Sequence, residues 1–361
     1  MCATVEREAG DCLADGAGGV ILSPDAQASA RRRASRRAKA PVAAWLLLSL
    51  IWSSTWLFIK LGLEDLPPVT FAGIRFVVAS LALGAFVAVA RRPLPRARRE
   101  WGLIALTGVL AFSLNYGLLF WGEKYVSSGL AALLQTTIPV FGLVIGHLHL
   151  PGERMTPRKV AGVSLGIAGV AFILSYQKEA NGSAALWGGA AIVTGAFCVA
   201  YANVLVKARG ARIDPAALAL GQMICGFVPL LLFGAAFEGN PLRLRWTPLA
   251  IVCLLYLSLV GSALAFLLFY WLVRNMDVTK TMLIPLVTPV IALTLGAIFL
   301  HETLTWRVAA GGAAVICGIA LIVRRKVNVK DGGGVSTEER APRAETLTRE
   351  KREAASLDEK E

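Results

Sequence analysis

Along most of this chain the apolar positions run on, leaving neither the alternation of a half-buried strand nor the polar stripe of a surface helix. Stretches of about 20 residues without charge are long enough for a helix to cross a hydrocarbon core. Ten are read here: 43–63, 69–90, 101–121, 127–149, 160–176, 186–206, 214–236, 247–272, 279–300 and 307–323. Strands of a membrane barrel would be shorter and would alternate polar with apolar, which these do not. The pattern predicts an all-α integral membrane protein with ten transmembrane helices.

The second half of the chain repeats the first. Glu153, Thr156, Arg158, Ala161, Gly162, Gly169, Ala171 and Ile173 recur 149 residues later as Glu302, Thr305, Arg307, Ala310, Gly311, Gly318, Ala320 and Ile322. Upstream the spacing becomes 150, with Leu118, Trp121, Pro139, Val140 and Gly146 matching Leu268, Trp271, Pro289, Val290 and Gly296. Five spans per copy is an odd number, so the second copy must enter the bilayer in the opposite sense. The expected architecture is therefore two inverted five-helix repeats, 41–178 and 184–324, between an N-terminal tail (1–40) and a charged C-terminal tail (325–361). Two nearly equal inverted halves supply two exchangeable shapes, the physical basis of alternating access.

Charge adds orientation. The net charge is +13, from 37 basic and 24 acidic residues. Taken alone it would suit a nucleic-acid partner, but its distribution excludes that. With the N-terminus inside, 23 basic residues fall in inner segments, including Arg31–Lys39, Arg91–Arg99 and Lys207–Arg212, against five outside: Lys124, Lys178, Arg243, Arg245 and Arg307. The positive-inside rule then places both termini in the cytoplasm of a multi-pass cell-membrane protein. Residues 1–40 hold no long apolar segment, so a cleaved signal peptide is not expected; they are read as a disordered tail, and residues 331–361 as disordered or marginally helical. Six cysteines form no Cys-x-x-Cys pair, and no cofactor or metal is expected.

Three segments carry a family resemblance. IWSSTWLFIKLGLEDLPPVTFAGIRF (51–76), YGLLFWGEKYVSSGLAALLQTTIPVF (116–141) and LPGERMTPRKVAGVSLGIAGVAFIL (150–174) resemble EamA-type proteins of the drug/metabolite transporter superfamily. A weaker second copy ends in FLHETLTWRVAAGGAAVICGIALIV (299–323). The resemblance implies a ten-helix inverted-repeat fold and export of small metabolites or drugs from the cytoplasm. The second copy departs where His301 replaces Gly152.

Spans four and nine are each interrupted by proline, at Pro139 and Pro289, with Pro285 one turn earlier. A helical proline frees a carbonyl one turn back, which is tolerated at membrane depth only inside protein or beside a wet cavity. Corresponding broken helices point to a transport site; a simple packing kink is the alternative. Polar and aromatic residues gather at matching depths: Trp52, Ser53 and Trp56; Asn115 and Tyr116; Gln135 and Thr136; Tyr201 and Asn203; Ser262; and Thr288. With the two prolines they form the candidate substrate-binding set. Amides in lipid need partners, so Asn115, Gln135 and Asn203 are expected to face inward. No Asp, Glu or His lies near mid-span, and Lys60, Arg75, Glu123 and His147 sit nearer the ends. The pathway is accordingly read as uncharged, suited to neutral, zwitterionic or amphipathic solutes. Spans five and ten carry stripes of small residues, including Gly162, Gly169, Gly311 and Gly318, read as close-packed scaffold or as a homodimer seam.

The leading function is a secondary exporter of small molecules working by alternating access. An exchanger or importer of the same fold remains open, because net direction follows gradients. An intramembrane enzyme on lipid-linked substrates would have only His147, His149 and Glu153 to work with, and a non-transporting scaffold would not need buried amides. No Walker A motif is present to drive transport with ATP.

Overall fold

The computed structural model describes residues 12–14, 20–22, 24–150, 155–240, 244–275 and 284–323. A short antiparallel hairpin pairs Cys12–Ala14 with Val20–Leu22. The other described elements are helical: α1 Pro24–Gly62, α2 Pro68–Val89, α3 Arg98–Gly108, α4 Asn115–Glu123, α5 Ser128–Gln135, α6 Ile138–His149, α7 Pro157–Arg209, α8 Pro215–Phe237, α9 Pro248–Leu255, α10 Ala265–Asn275, α11 Ile284–Phe299 and α12 Trp306–Val323. Two π-helical stretches, Val109–Leu114 and Tyr256–Leu264, join α3 to α4 and α9 to α10 into continuous rods. α1 begins well upstream of the expected first span and covers part of the tail that was read as unstructured.

The helix starts follow from local chemistry. Prolines 68, 157, 215 and 248 open α2, α7, α8 and α9, where the missing N–H is harmless. Thr156 Oγ1 accepts from Lys159 N, Asp214 Oδ1 from Ala216 N, and Thr247 Oγ1 from Ala250 N, at 2.9–3.3 Å. These short polar caps satisfy amides that the first turn leaves free. α7 is two helices in one: Gly182, at φ 80°, turns the chain between Pro157–Ser175 and Gly182–Arg209.

Among the described residues, eight helical segments are long and apolar enough to cross a membrane, from Ala40–Gly62 to Pro248–Phe269. Ile284–Phe299 and Trp306–Ile322 are shorter apolar helices. All ten coincide with stretches read from the sequence. Span nine is the least complete, since its expected first residues lie outside the described ones. So do Glu153 and the tail 325–361.

Two helix pairs meet reciprocally. α2 and α8 run antiparallel: a Cβ built on Gly73 would touch Leu231, and one on Gly84 would lie 3.7 Å from Leu220. Each helix opens on its proline (68 and 215), so the two are related by 147 positions, which carries Gly73 to Leu220 and Gly84 to Leu231. The contacts therefore exchange partners. The same holds for the first part of α7 and α12. A Cβ on Gly162 would sit 2.6 Å from Gly318 O, and one on Gly169 2.6 Å from Gly311 O, while the 149-residue repeat carries 162 to 311 and 169 to 318. The glycine stripes thus close on each other within one chain, and their backbones approach because no Cβ intervenes.

Buried side chains fill the space around these pairs. Phe71, Phe76, Phe112, Phe120 and Met223 form a core between α2, α4 and α8. Leu130, Leu133, Leu134, Ile173, Val315 and Ile319 form a second core, where α5 meets the α7–α12 pair.

Substituting Gly162 or Gly318 with Ala is expected to lower the yield of folded, monodisperse protein, because the added methyl meets a backbone carbonyl. Gly142→Ala, where a Cβ meets nothing within 4 Å, is expected to be neutral or to stabilise by up to about 1 kcal/mol through helix propensity. Thermal unfolding of the three variants in detergent checks the difference in sign.

Candidate functional site

A cavity of about 540 Å³ lies among α1, α2, α4, α5, α8, α10, α11 and the second part of α7. Trp52 and Trp56 reach it from α1. Asn115 and Tyr116 reach it from the start of α4, just after the π-helical stretch. Gln135 and Thr136 come from the end of α5, Asn203 from α7, and Pro285 and Thr288 from α11. Phe112, Phe266 and Phe269 complete an aromatic wall, with Trp52 edge-on to Phe266 and tilted against Phe269 at centroid distances of 6.4 and 5.5 Å. A volume of this size, mostly apolar with a few polar groups, is typical of small-molecule sites.

The wall is built where helices are irregular. α5 ends at Gln135 and α6 starts at Ile138. Between them Thr136 N and Thr137 N bond back only three residues, to Leu133 O and Leu134 O, at 3.1 and 3.2 Å. Pro139 forbids an ordinary turn here, and the resulting break presents Gln135 and Thr136. Gln135 Nε2 donates to Asn115 Oδ1 at 2.7 Å, while its Oε1 is buried with no partner among the described residues.

Eight of the sequence-derived candidates line the cavity: Trp52, Trp56, Asn115, Tyr116, Gln135, Thr136, Asn203 and Thr288. Five do not. Ser53 turns its hydroxyl onto its own helix and donates to Ser49 O at 2.6 Å. Tyr201 packs edge-on against His149, with centroids 5.7 Å apart. Pro139 and Pro289 lie off the wall, and α11 runs through Pro289 without a break; among the described residues the expected matching interruption is present only in span four. Ser262 is fully buried behind the wall, where it supports another residue.

That residue is Arg75, a charged side chain on the cavity wall where the sequence was expected to place only uncharged ones. Arg75 lies seven residues into α2, about 10 Å along the axis; it is 3% exposed and lines the cavity. Its Nε donates to Ser262 Oγ at 3.1 Å, and Ser262 donates in turn to Leu257 O, five residues back across the π-helical stretch. The guanidinium carbon stands 5.2–5.8 Å from the ring centroids of Tyr116, Phe76 and Phe120, each such contact worth about 0.5–2 kcal/mol. Nη1 has no partner among the described residues. Gln222, likewise seven residues into α8, is its counterpart in the other half and also lines the cavity. Judging depth by distance from the span end hid both.

A charged cluster adjoins this end. Lys60 Nζ donates to Glu123 O and Val126 O, both at 2.7 Å. Glu123 is fully buried, and neither of its carboxylate oxygens has a hydrogen-bond partner among the described residues. Glu302 binds the start of α5, accepting from Ser128 N at 2.7 Å, Ser128 Oγ at 2.8 Å and Gly129 N at 3.3 Å. A carboxylate on a helix N-terminus satisfies free amides and complements the dipole. This gives Glu302 a structural role tying the two halves together.

The chain matches the EamA-like transporter family twice, over residues 40–175 and 186–324, and belongs to that family. It is 30% identical to the uncharacterized transporter YoaV of Bacillus subtilis strain 168, over 78% of this chain and 97% of that protein. It is 31% identical to a protein of Streptantibioticus cattleyicolor named a probable terminal-alkyne amino-acid exporter, over 78% of this chain and 94% of that protein. A solved crystal structure shares the fold at 20% identity with a TM-score of 0.56, covering 78% of this chain and 96% of its own. The protein is thus a multi-pass membrane transporter.

Glu302→Ala is expected to lower the melting temperature in detergent, since it removes charge-assisted bonds of roughly 1.5–3 kcal/mol each. Glu302→Gln, which keeps an acceptor, is expected to fall between the two.

Proposed function

We propose that the protein is a secondary transporter of ten spans in two inverted repeats, which exports small neutral, zwitterionic or amphipathic metabolites or drugs from the cytoplasm by alternating access. The observation that carries this reading is the cavity between the halves. Trp56, Arg75, Asn115 and Gln135 from the first half face Asn203, Gln222, Phe266 and Thr288 from the second. Transport sites of inverted-repeat carriers lie at such an interface. The reciprocal contacts of α2 with α8 and of α7 with α12 support the inversion: equivalent helices run in opposite directions, and their partners exchange under the repeat. Such exchange is the mark of a twofold axis perpendicular to the helices, which for membrane spans lies in the plane of the bilayer. The charge distribution supports cytoplasmic termini. The relative that bears the name of an exporter favours outward movement, although gradients set the net direction in any secondary carrier.

The candidate site residues take roles that follow from their chemistry. Trp52 and Trp56 hold the apolar part of a solute, and the amides of Asn115, Gln135 and Asn203 orient its polar groups. An untargeted comparison of metabolites in medium and cells, with and without the protein, identifies what is moved. Gln135→Ala and Trp56→Ala are each expected to cut efflux of that solute by about five-fold or more, the equivalent of one lost contact of about 1 kcal/mol, at unchanged membrane abundance. Unaltered efflux in both variants would place the path elsewhere.

A further inference from the structure

A second cavity, of about 330 Å³, lies at the end of the α2–α8 pair away from Arg75, between the end of α2, the start of α8 and the side of α10. Its polarity is graded along the span. On α10, Trp271 stands four residues before the helix end, and Leu264 lies seven residues deeper, about 10 Å along the axis. On α2, Arg92 follows the helix end and Phe86 lies inside it. Both walls thus pass from a charged or amphipathic residue at the span end to plain hydrocarbon further in. Arg92 and Asp214 are the charged residues on the wall among the described residues. They face each other at 3.8 Å, with side chains 36% and 10% exposed. Asp214 Oδ1 also accepts from Ala216 N and Ala217 N at 2.9 and 3.3 Å, so the start of α8 already engages its charge. Arg92 is the accessible member of the pair. A left-handed turn puts it there. Arg91 takes φ 48°, while Arg91 N bonds to Ala88 O at 3.2 Å and Arg92 N to Val87 O at 3.0 Å, the reversal that closes a helix end. Glycine usually fills that position, as Gly239 does after α8 with φ 96°; an arginine bears a conformational cost that glycine avoids. Arg91 and Arg212 add exposed positive charge beside Arg92 and Asp214 in the chain.

We propose that this cavity binds one anionic phospholipid, with its phosphate on the Arg92 guanidinium and the first part of an acyl chain along Trp271, Leu268 and Leu264. The charges are complementary, and a guanidinium fork fits phosphate oxygens. The order of the wall is the order of a lipid: cation, then indole at headgroup level, then apolar side chains. A free phosphate would leave the apolar depth unfilled, and a neutral lipid would leave Arg92 without an anion. A soluble acidic peptide would not enter a slot that runs into the hydrocarbon layer. The site is separate from the central cavity. Only its leaflet, the cytoplasmic one, rests on the orientation proposed above, in which anionic lipid and basic residues share a side.

The test uses the purified full-length protein in a neutral detergent, titrated with phosphatidylglycerol and with phosphatidylcholine of the same acyl chains. Binding is read as the rise in melting temperature and as lipid retained in native mass spectrometry. Phosphatidylglycerol is expected to bind at least about five-fold more tightly, the ratio that one interfacial cation carries, with one molecule retained per chain. Arg92→Gln is expected to bring the ratio toward one. Arg98→Gln, which removes an exposed arginine away from the wall, is expected to leave it unchanged. Asp214→Asn keeps an acceptor for the start of α8 and removes the carboxylate that competes for Arg92, so the ratio is expected to rise; this gain keeps the test decisive if Arg92→Gln does not fold. Leu264→Trp, which fills the deep end, is expected to weaken both lipids. The proposal is overturned if the two lipids bind equally, if the ratio persists in Arg92→Gln, or if Arg98→Gln lowers it as much. It is also overturned if inorganic phosphate alone displaces the lipid, which would make this a site for a free anion. The titration is independent of efflux and of membrane orientation, so its failure leaves the transport reading standing, and loss of that reading leaves this one.

Discussion

Holding a guanidinium inside a bundle of apolar helices is the constraint around which this molecule is organised. An unpaired charge in a low-dielectric interior is unfavourable by several kcal/mol, so every element near Arg75 does something about it. Ser262 takes one N–H, and three aromatic faces surround the cation. The π-helical stretch Tyr256–Leu264 places Ser262 with its hydroxyl on Leu257 O, a five-residue reach that an ordinary α-turn would not provide. Its counterpart, Val109–Leu114, falls at the corresponding place in the first half and immediately precedes Asn115 and Tyr116. Single wide turns of this kind recur at functional sites because they re-aim side chains without breaking a helix.

The second organising feature is the exchange of partners between the halves. Gly162 with Gly318, and Gly169 with Gly311, bring two backbones together in lipid, where no hydrophobic force drives helices to associate and close van der Waals packing must do so. Glu302 reinforces the same junction by holding the start of α5. The cavity wall, by contrast, draws on residues within long helices and on irregular stretches, such as Phe112 in the first π-helical segment and Thr136 at the α5–α6 break.

Most of the fold was legible because the bilayer leaves few options: apolar stretches of the right length point to spans, and eight of them are helices long and apolar enough to cross a membrane among the described residues. The duplication was legible because the small residues of spans five and ten repeat at a fixed spacing. The site was less so. Trp56, Asn115, Gln135 and Asn203 were found from polarity at depth. Arg75 and Gln222 were missed because distance from a span end is a poor measure of distance from the cavity, whose wall includes both. Their one signal was positional, seven residues beyond the opening prolines of two equivalent helices. Ser53, Tyr201 and Ser262 were included because sequence does not reveal which side of a helix a hydroxyl bonds to. Pro289 lies inside α11, which stays helical through it.

The most direct measurement is sided accessibility of the cavity. With the six native cysteines replaced, single cysteines at Asn203 and Thr288 would be treated with a membrane-impermeant thiol reagent in right-side-out and in inside-out vesicles. Alternating access predicts that each position reacts from both sides, and that a transported solute shifts the balance between them. Reaction from one side alone under every condition, or only with lipid-soluble reagents, would contradict a transport path between the two halves.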